Sequence, residues 1–261
     1  LAASSCRWCR WIKPNSRKLV NEYLEAKAIG IETKPVIIGP FTFLKLAKIR
    51  GGKSCEEYAE KTAEAYAEIV RELADVGGKW IQIDEPFLVT ELQAEDIKLF
   101  KTLYSKLLSK KSGIKILLQT YFGDVRESYQ EITELDFDGI GVDFIEGVKN
   151  LELIKERGFP QGKQLFAGIV NGKNIWKNSY KNSIDTVKEL SEKVSISNIV
   201  INTSCSLLHV PCSLKNETKM DEKYKKHFAF AEEKLSEIND IAEIINSREF
   251  ENSKIYQENV R

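Results

Sequence analysis

Six times along the chain a short, nearly uninterrupted apolar run stops at a polar residue or a Gly-Pro pair, and a segment with helical spacing separates each run from the next. The runs are Pro35-Val36-Ile37-Ile38-Gly39-Pro40, Trp80-Ile81-Gln82-Ile83-Asp84, residues 114–120, Gly139-Ile140-Gly141-Val142-Asp143-Phe144, residues 164–171 and residues 198–205. Strands that are apolar throughout are buried on both faces, as in a parallel sheet covered by helices. The intervening stripes agree. Leu19, Tyr23, Leu24 and Ala28 lead to Gly30, and Tyr58, Thr62, Ala65, Tyr66, Ile69 and Leu73 follow a Ser54/Glu57 capping signal and end at Gly77-Gly78. Ile97, Phe100, Leu103, Tyr104 and Leu107 run to Gly113. Short helices are expected over 41–49, 129–135 and 148–157, and another along Ile184, Val187, Leu190 and Val194. A long helix is expected over 222–245, with Phe228, Ala231, Leu235, Ile238, Ile241 and Ile245 inward.

No G-x-G-x-x-G follows any strand and no P-loop occurs, which removes the main support for a nucleotide-binding doubly wound sheet. The expected fold is therefore α/β, of the (β/α)8 TIM-barrel type, with about six βα units present and the first two missing. A chain of 261 residues can form one such domain. Its expected extent is 14–250, after a lead at 1–13 that is unstructured or foreign to the domain and before a polar tail at 251–261, with fraying from Asn246 onward. In the lead, Cys6-Arg7-Trp8-Cys9 has C-x-x-C spacing but no second ligand pair, so an accidental pair is the expectation.

Lys plus Arg and Asp plus Glu both number 39, a formal net charge of zero, so there is no electrostatic case for nucleic acid or an anionic membrane as partner. No apolar run reaches the roughly 18 residues of a membrane span. A small-molecule substrate and a cytoplasmic location are expected. Five cysteines, Cys6, Cys9, Cys55, Cys205 and Cys212, are an odd set that reads as free thiols rather than a disulfide framework.

Chemistry is expected where the strands stop, because in sheets built of βα units the ligand-facing residues collect at the strands' carboxyl ends. Those ends supply Asp84 and Glu85, Thr120 and Tyr121, Asp143, Asn171, and Asn202, Ser204 and Cys205. Polar groups placed there must pair with one another, with loops or with a ligand. Asp84 and Glu85 could act as acid and base, but adjacent strand residues point to opposite faces, so at most one faces the mouth. Asp84 has the structural alternative of accepting loop backbone N–H groups. Trp176 reads as a packing wedge under a loop, His227 as a residue on the face of the last helix, and Lys106, Lys110 and Lys111 as a solvated helix end.

Five segments together resemble a known family: 34–44 (Lys-Pro-Val-Ile-Ile-Gly-Pro-Phe-Thr-Phe-Leu), 80–86 (Trp-Ile-Gln-Ile-Asp-Glu-Pro), Thr120-Tyr121-Phe122, 168–176 (Gly-Ile-Val-Asn-Gly-Lys-Asn-Ile-Trp) and 204–209 (Ser-Cys-Ser-Leu-Leu-His). In this order they are similar to the N-terminal half of cobalamin-independent methionine synthase, over about residues 18–245. The resemblance implies two (β/α)8 barrels face to face that transfer a methyl group from 5-methyltetrahydropteroyl-triglutamate to homocysteine. It places zinc and homocysteine in the C-terminal barrel, and makes the N-terminal barrel a metal-free copy that helps hold the folate's polyglutamate tail. The family's opening Gly-Phe-Pro-Arg segment and Lys-Trp-Phe strand have no counterpart here. By strand equivalence the family's His-x-Cys, Glu and Cys zinc ligands fall on Thr120 and Phe122, Asp143 and Cys205, which makes Asp143 and Cys205 relic positions, with His209 a further candidate. The resemblance thus implies no catalytic residue, metal or cofactor in this fragment, and a C-terminal catalytic barrel as partner. The alternative is a stand-alone barrel lyase or methyltransferase using Asp84, Asp143 and Cys205. A third expectation is a dimer completing the barrel at its open edge.

Overall fold

The computed structural model describes residues 13–49, 54–111, 113–247, 251 and 253–260. They divide into two compact units, one formed by residues up to Thr120 with Glu127–Ile140, the other by Tyr121–Arg126 with Gly141 onward. Cys6-Arg7-Trp8-Cys9 and the rest of the expected lead before Lys13 lie outside the described residues.

In the first unit, α1 (Arg17–Ala28) precedes β1 (Val36–Ile38), α2 (Pro40–Leu46), α3 (Glu56–Asp75), β2 (Trp80–Asp84), α4 (Ala94–Ser109), β3 (Lys115–Gln119) and α5 (Tyr129–Glu134). β1 pairs with β2, and β2 with β3, in parallel; Ile38 lies opposite Asp84, and Asp84 opposite Gln119. The approach to β4 (Gly139–Asp143) is fixed to β3 by Asp138, whose N–H donates to the Ile116 carbonyl and whose carboxylate accepts the Ile116 N–H. Local chemistry sets the helix starts. Pro40 opens α2 at a position where its missing N–H costs nothing, and Gln93 and Asp96 form a reciprocal capping box on α4. The core is an aromatic run: Phe100 stands 5.8 Å from Phe41 and 4.7 Å from Tyr104, and Tyr104 stands 5.2 Å from Phe137. All four rings are essentially inaccessible to solvent.

In the second unit the end of β4 is followed by α6 (Lys149–Arg157), β5 (Gln164–Val170), α7 (Tyr180–Ser191), β6 (Ile199–Thr203), α8 (Glu222–Lys225), α9 (Ala231–Asn246) and α10 (Lys254–Val260). The Phe144 N–H donates to the Gly168 carbonyl, and β5 pairs in parallel with β6, with a register shift between Gly168 and Val170. At Gly168 a Cβ would meet the Ser204 Cα at 2.9 Å and the Val142 carbonyl at 2.9 Å, so only glycine allows this approach of three chain segments.

All six expected strands form, in an α/β fold whose paired strands are parallel. Two expectations fail near the carboxyl terminus. The long helix at 222–245 is broken between α8 and α9, because the Ala229 N–H donates to the Ile175 carbonyl and the Lys177 N–H to the His227 carbonyl, drawing 227–229 into a bridge with the 175–177 loop. His227 therefore lies off the helix, and Leu235, expected inward, is 54% exposed while Lys234 and Glu237 turn inward. The polar tail contains α10, tied down by Asn259, which accepts the Tyr180 N–H at 2.9 Å and donates to the Asn178 carbonyl at 3.0 Å.

Removing Phe100 leaves a ring-sized void between Phe41 and Tyr104. Phe100→Ala is expected to cost about 3–5 kcal/mol, read as a lower urea midpoint at unchanged slope; a loss under about 1 kcal/mol would contradict this core assignment.

Candidate functional site

The strand ends of the first unit are organised by Glu85. β2 ends at Asp84 as Pro86 opens a short 3₁₀ turn, leaving Glu85 fully buried. Its Oε1 accepts the Phe41 N–H at 2.9 Å and the Tyr104 hydroxyl at 2.5 Å, and its Oε2 accepts the Thr42 N–H at 2.7 Å. Phe41 and Thr42 are among the first residues of α2, so the carboxylate sits where the helix leaves N–H groups unpartnered and its dipole is positive. Gly39 belongs to the same arrangement, because any Cβ there would collide with the Glu85 side chain. Burial pushes the Glu85 pKa up to about 7 against the opposing pull of the bonds from Thr42, Tyr104 and Phe41.

Asp84 points elsewhere. It is half-buried and accepts from the Gln82 amide at 2.8 Å; burial lowers the Lys34 ammonium to about 8, with the Asp84 charge opposing. Of the two adjacent acids, Glu85 gathers the backbone N–H groups of Phe41 and Thr42. Thr120 is fully buried in this unit.

The strand ends of the second unit centre on Asp143. Its Oδ2 accepts the Phe122 N–H at 3.0 Å, and its Oδ1 accepts the N–H groups of Ile145 at 2.7 Å and Glu146 at 3.0 Å. Asn150, 1% exposed, accepts the Val125 N–H at 3.1 Å and donates to the Asp143 carbonyl at 2.7 Å. Together they hold Phe122 at φ 75°, the one non-glycine residue with positive φ among the described residues. A bulky side chain adopts that conformation only where its surroundings fix it. The Phe122 ring stands edge-on to Tyr121 at 4.7 Å and to His209 at 5.5 Å, with the Lys173 ammonium 5.0 Å from its centre. Lys173 also pairs with Glu146 at 2.7 Å. Burial pushes Asp143 up, with the three backbone bonds opposing.

The remaining candidates are placed around this centre or close the strand ends. Ser204 accepts the Gly172 N–H at 3.1 Å, and Cys205 is 5% exposed with its thiol pKa raised, chiefly by burial. Gly172 packs so closely that a Cβ would stand 2.9 Å from the Cys205 Sγ. Asn171 accepts the N–H groups of Lys173 and Asn174, and Asn202 lies on β6 opposite Gly168. Trp176 is 55% exposed and stacks on Phe228 at 5.0 Å, so it is no wedge beneath the loop. Of the lysines, Lys106 pairs with Glu60 and Glu64, and Lys111 with Asp136 and Asp138.

The zinc ligands implied by resemblance do not fit these residues. Phe122 has no donor atom, Asp143 has both oxygens engaged by backbone N–H groups, and the buried Cys205 thiol is held toward its neutral form. Among the described residues no group of three or more His, Cys, Asp or Glu is placed to hold a metal ion. Sequence reasoning missed Tyr104, read as core, and Asn150, a polar residue on the α6 stripe; a buried polar atom within an apolar stripe was the available signal for both.

Besides strand-end carboxylates bonded to helix and loop N–H groups, the chain carries the sequence of a known family. The chain belongs to the family described as cobalamin-independent synthase, N-terminal domain, whose model matches residues 9–195. It is 52% identical over 233 residues to the 5-methyltetrahydropteroyltriglutamate–homocysteine methyltransferase of Lactococcus lactis subsp. lactis, covering 89% of this chain and 30% of that protein. The protein of the same name from Campylobacter jejuni subsp. jejuni serotype O:23/36 is 50% identical over 232 residues, with 89% and 30% covered. The chain thus spans about a third of the length of these relatives. Its fold is similar to that of a B12-independent methionine synthase from Shewanella sp. W3-18-1, with TM-score 0.62, 18% identity, and 90% of this chain and 67% of that one covered. It is also similar to that of a protein from Listeria monocytogenes described as a putative vitamin-B12 independent methionine synthase, with TM-score 0.63, 16% identity, and 90% and 70% covered.

Glu85 yields a pH prediction. Its folded pKa, about 7, lies above its ordinary value of 4.5, so its contribution is full below about 4.5 and is lost as pH rises through 7. The stability advantage of the native chain over Glu85→Gln should shrink by up to about 3 kcal/mol between pH 4.5 and 8 in urea unfolding. A pH-independent difference would contradict the assignment.

Proposed function

We propose that the chain is the N-terminal, folate-supporting barrel of a cobalamin-independent methionine synthase. The complete protein would move a methyl group from 5-methyltetrahydropteroyl-triglutamate to homocysteine in methionine biosynthesis, in the cytoplasm. A C-terminal catalytic barrel of the same protein is the partner of this domain and carries the zinc and the homocysteine site. Zinc, where bound, lowers the pKa of a thiol and so activates it for alkyl transfer. In this chain the ligand-facing residues are drawn from the strand ends, with Asp84, Tyr121, Asn171, Asn202 and Ser204 as the candidates.

The observation that carries this reading is the 52% identity over 89% of the chain to a methyltransferase of that name, confined to 30% of that protein's length. The engagement of Asp143 by three backbone N–H groups supports the non-catalytic part of the reading. The stand-alone enzyme is disfavoured because Glu85, whose pKa burial raises, is closed off from solvent by α2 and Tyr104. Among the described residues no helix is long and apolar enough to cross a membrane.

The chain alone, given methyl-folate triglutamate and homocysteine, is expected to form no methionine. Substituted for the matching 233-residue segment of the Lactococcus lactis relative, it is expected to yield an enzyme that does. Methionine formation by the chain alone, or a folded chimera with no activity, would overturn the reading.

A further inference from the structure

A groove of about 360 Å³ opens in the second unit, between the carboxyl end of β5 and the amino-terminal half of α7. Its size falls at the lower end of the roughly 300–1,000 Å³ of small-molecule sites. Phe144, Ile145 and Ile169 supply its apolar part; Asn171, Asn174, Lys177, Ser179 and Asn182 supply polar groups.

The bonding state of those polar groups sets what they can recognise. The Asn171 oxygen is taken by the N–H groups of Lys173 and Asn174, and the Asn174 oxygen by the Trp176 N–H and the Lys234 ammonium. The Ser179 hydroxyl oxygen accepts the Asn182 N–H at the start of α7. The NH₂ groups of Asn171 and Asn174 have no hydrogen-bond partner among the described residues; the Lys177 ammonium is exposed, makes no hydrogen bond among them, and acts on Glu237 through its charge alone. The Asn171 and Asn174 amides and the Lys177 ammonium therefore offer donors on a wall that contains no carboxylate and that also carries the side-chain oxygens of Asn178 and Asn182.

The wall is also built rigidly. Lys234, completely buried on α9, donates to the Trp176 carbonyl at 3.1 Å and to the Asn174 oxygen at 3.5 Å, and Glu237, 4% exposed, accepts the Asn178 N–H at 2.8 Å. Burying two charged side chains to hold one loop makes sense when the loop's shape matters. Glu237 is the acid bonded to this loop, and burial raises its pKa, which favours its uncharged form.

We propose that this groove binds a small oxyanion, a carboxylate or a phosphate, through the side-chain amides of Asn171 and Asn174 and the Lys177 ammonium. Three side-chain donors suit a ligand that only accepts, and the start of the 12-residue helix α7 adds partial positive charge. Lys234 is a positioning residue, acting through the loop it fixes. The proposal does not rest on the methyl-transfer reading and would survive its failure.

The test is a titration of the ¹⁵N-labelled chain with inorganic phosphate and, separately, with succinate. Saturable shifts at the side-chain amides of Asn171, Asn174 and Asn182 are expected with at least one of them, and the tighter binder identifies the source of the anion. Asn174→Asp keeps the oxygen that accepts from Trp176 and Lys234 but replaces the donor with negative charge; it should weaken binding at least tenfold without lowering the thermal midpoint. Lys177→Gln, exposed and so harmless to folding, should weaken it several-fold and decides the matter if Asn174→Asp is unstable. Absence of saturable binding of either anion, shifts confined to residues outside the groove, or unchanged affinity in Lys177→Gln would overturn the proposal.

Discussion

A carboxylate taken out of water must recover the hydrogen bonds it gives up, and each unit of this chain is arranged around one that does so with backbone N–H groups. In the first unit Glu85 takes the N–H groups of Phe41 and Thr42 at the start of α2, along with the Tyr104 hydroxyl. In the second, Asp143 takes those of Phe122, Ile145 and Glu146. Each acid fixes the path of the chain just beyond a strand, where loops otherwise have the most freedom. The neighbouring residue choices follow from this. Gly39 leaves space for Glu85, and Asn150 completes the bonds that Asp143 leaves unmade.

The same bonds limit the chemistry open to these acids. Both oxygens of Asp143 lie in a set of N–H groups, so a cation placed there would face donors. Glu85 has no exposed surface from which to exchange a proton with a substrate. What the second unit does present to solvent is the Phe122 ring, with Lys173 and His209 against it and held by strained backbone.

Much of this could be read from the residues, and the failures have identifiable causes. The six strands were legible because their apolar runs end at sharp polar or Gly-Pro stops, and their parallel pairing because the runs lack alternation. The break at 226–230 was not, since Phe228, Ala229 and Phe230 continue a helical pattern; what removes them from the helix is a non-local bridge to Ile175 and Lys177. Lys234 and Glu237 lie outside the expected inward set of Ala231, Leu235 and Ile238, yet they turn inward to hold the Trp176 loop. At the strand ends the sequence could nominate Asp84, Glu85 and Asp143 but could not say what their oxygens bind, because Phe41, Thr42 and Tyr104 lie 19 to 44 positions from Glu85.

Among the described residues, Glu85 and Asp143 hold backbone N–H groups and no metal site is left at the strand ends. This is tested most directly by titrating Co²⁺ into the protein and following thiolate-to-cobalt charge-transfer absorption, with Asp143→Asn and Cys205→Ala as comparisons. The account predicts no absorption that depends on Asp143 or Cys205. A stoichiometric charge-transfer band that disappears in either variant would contradict it.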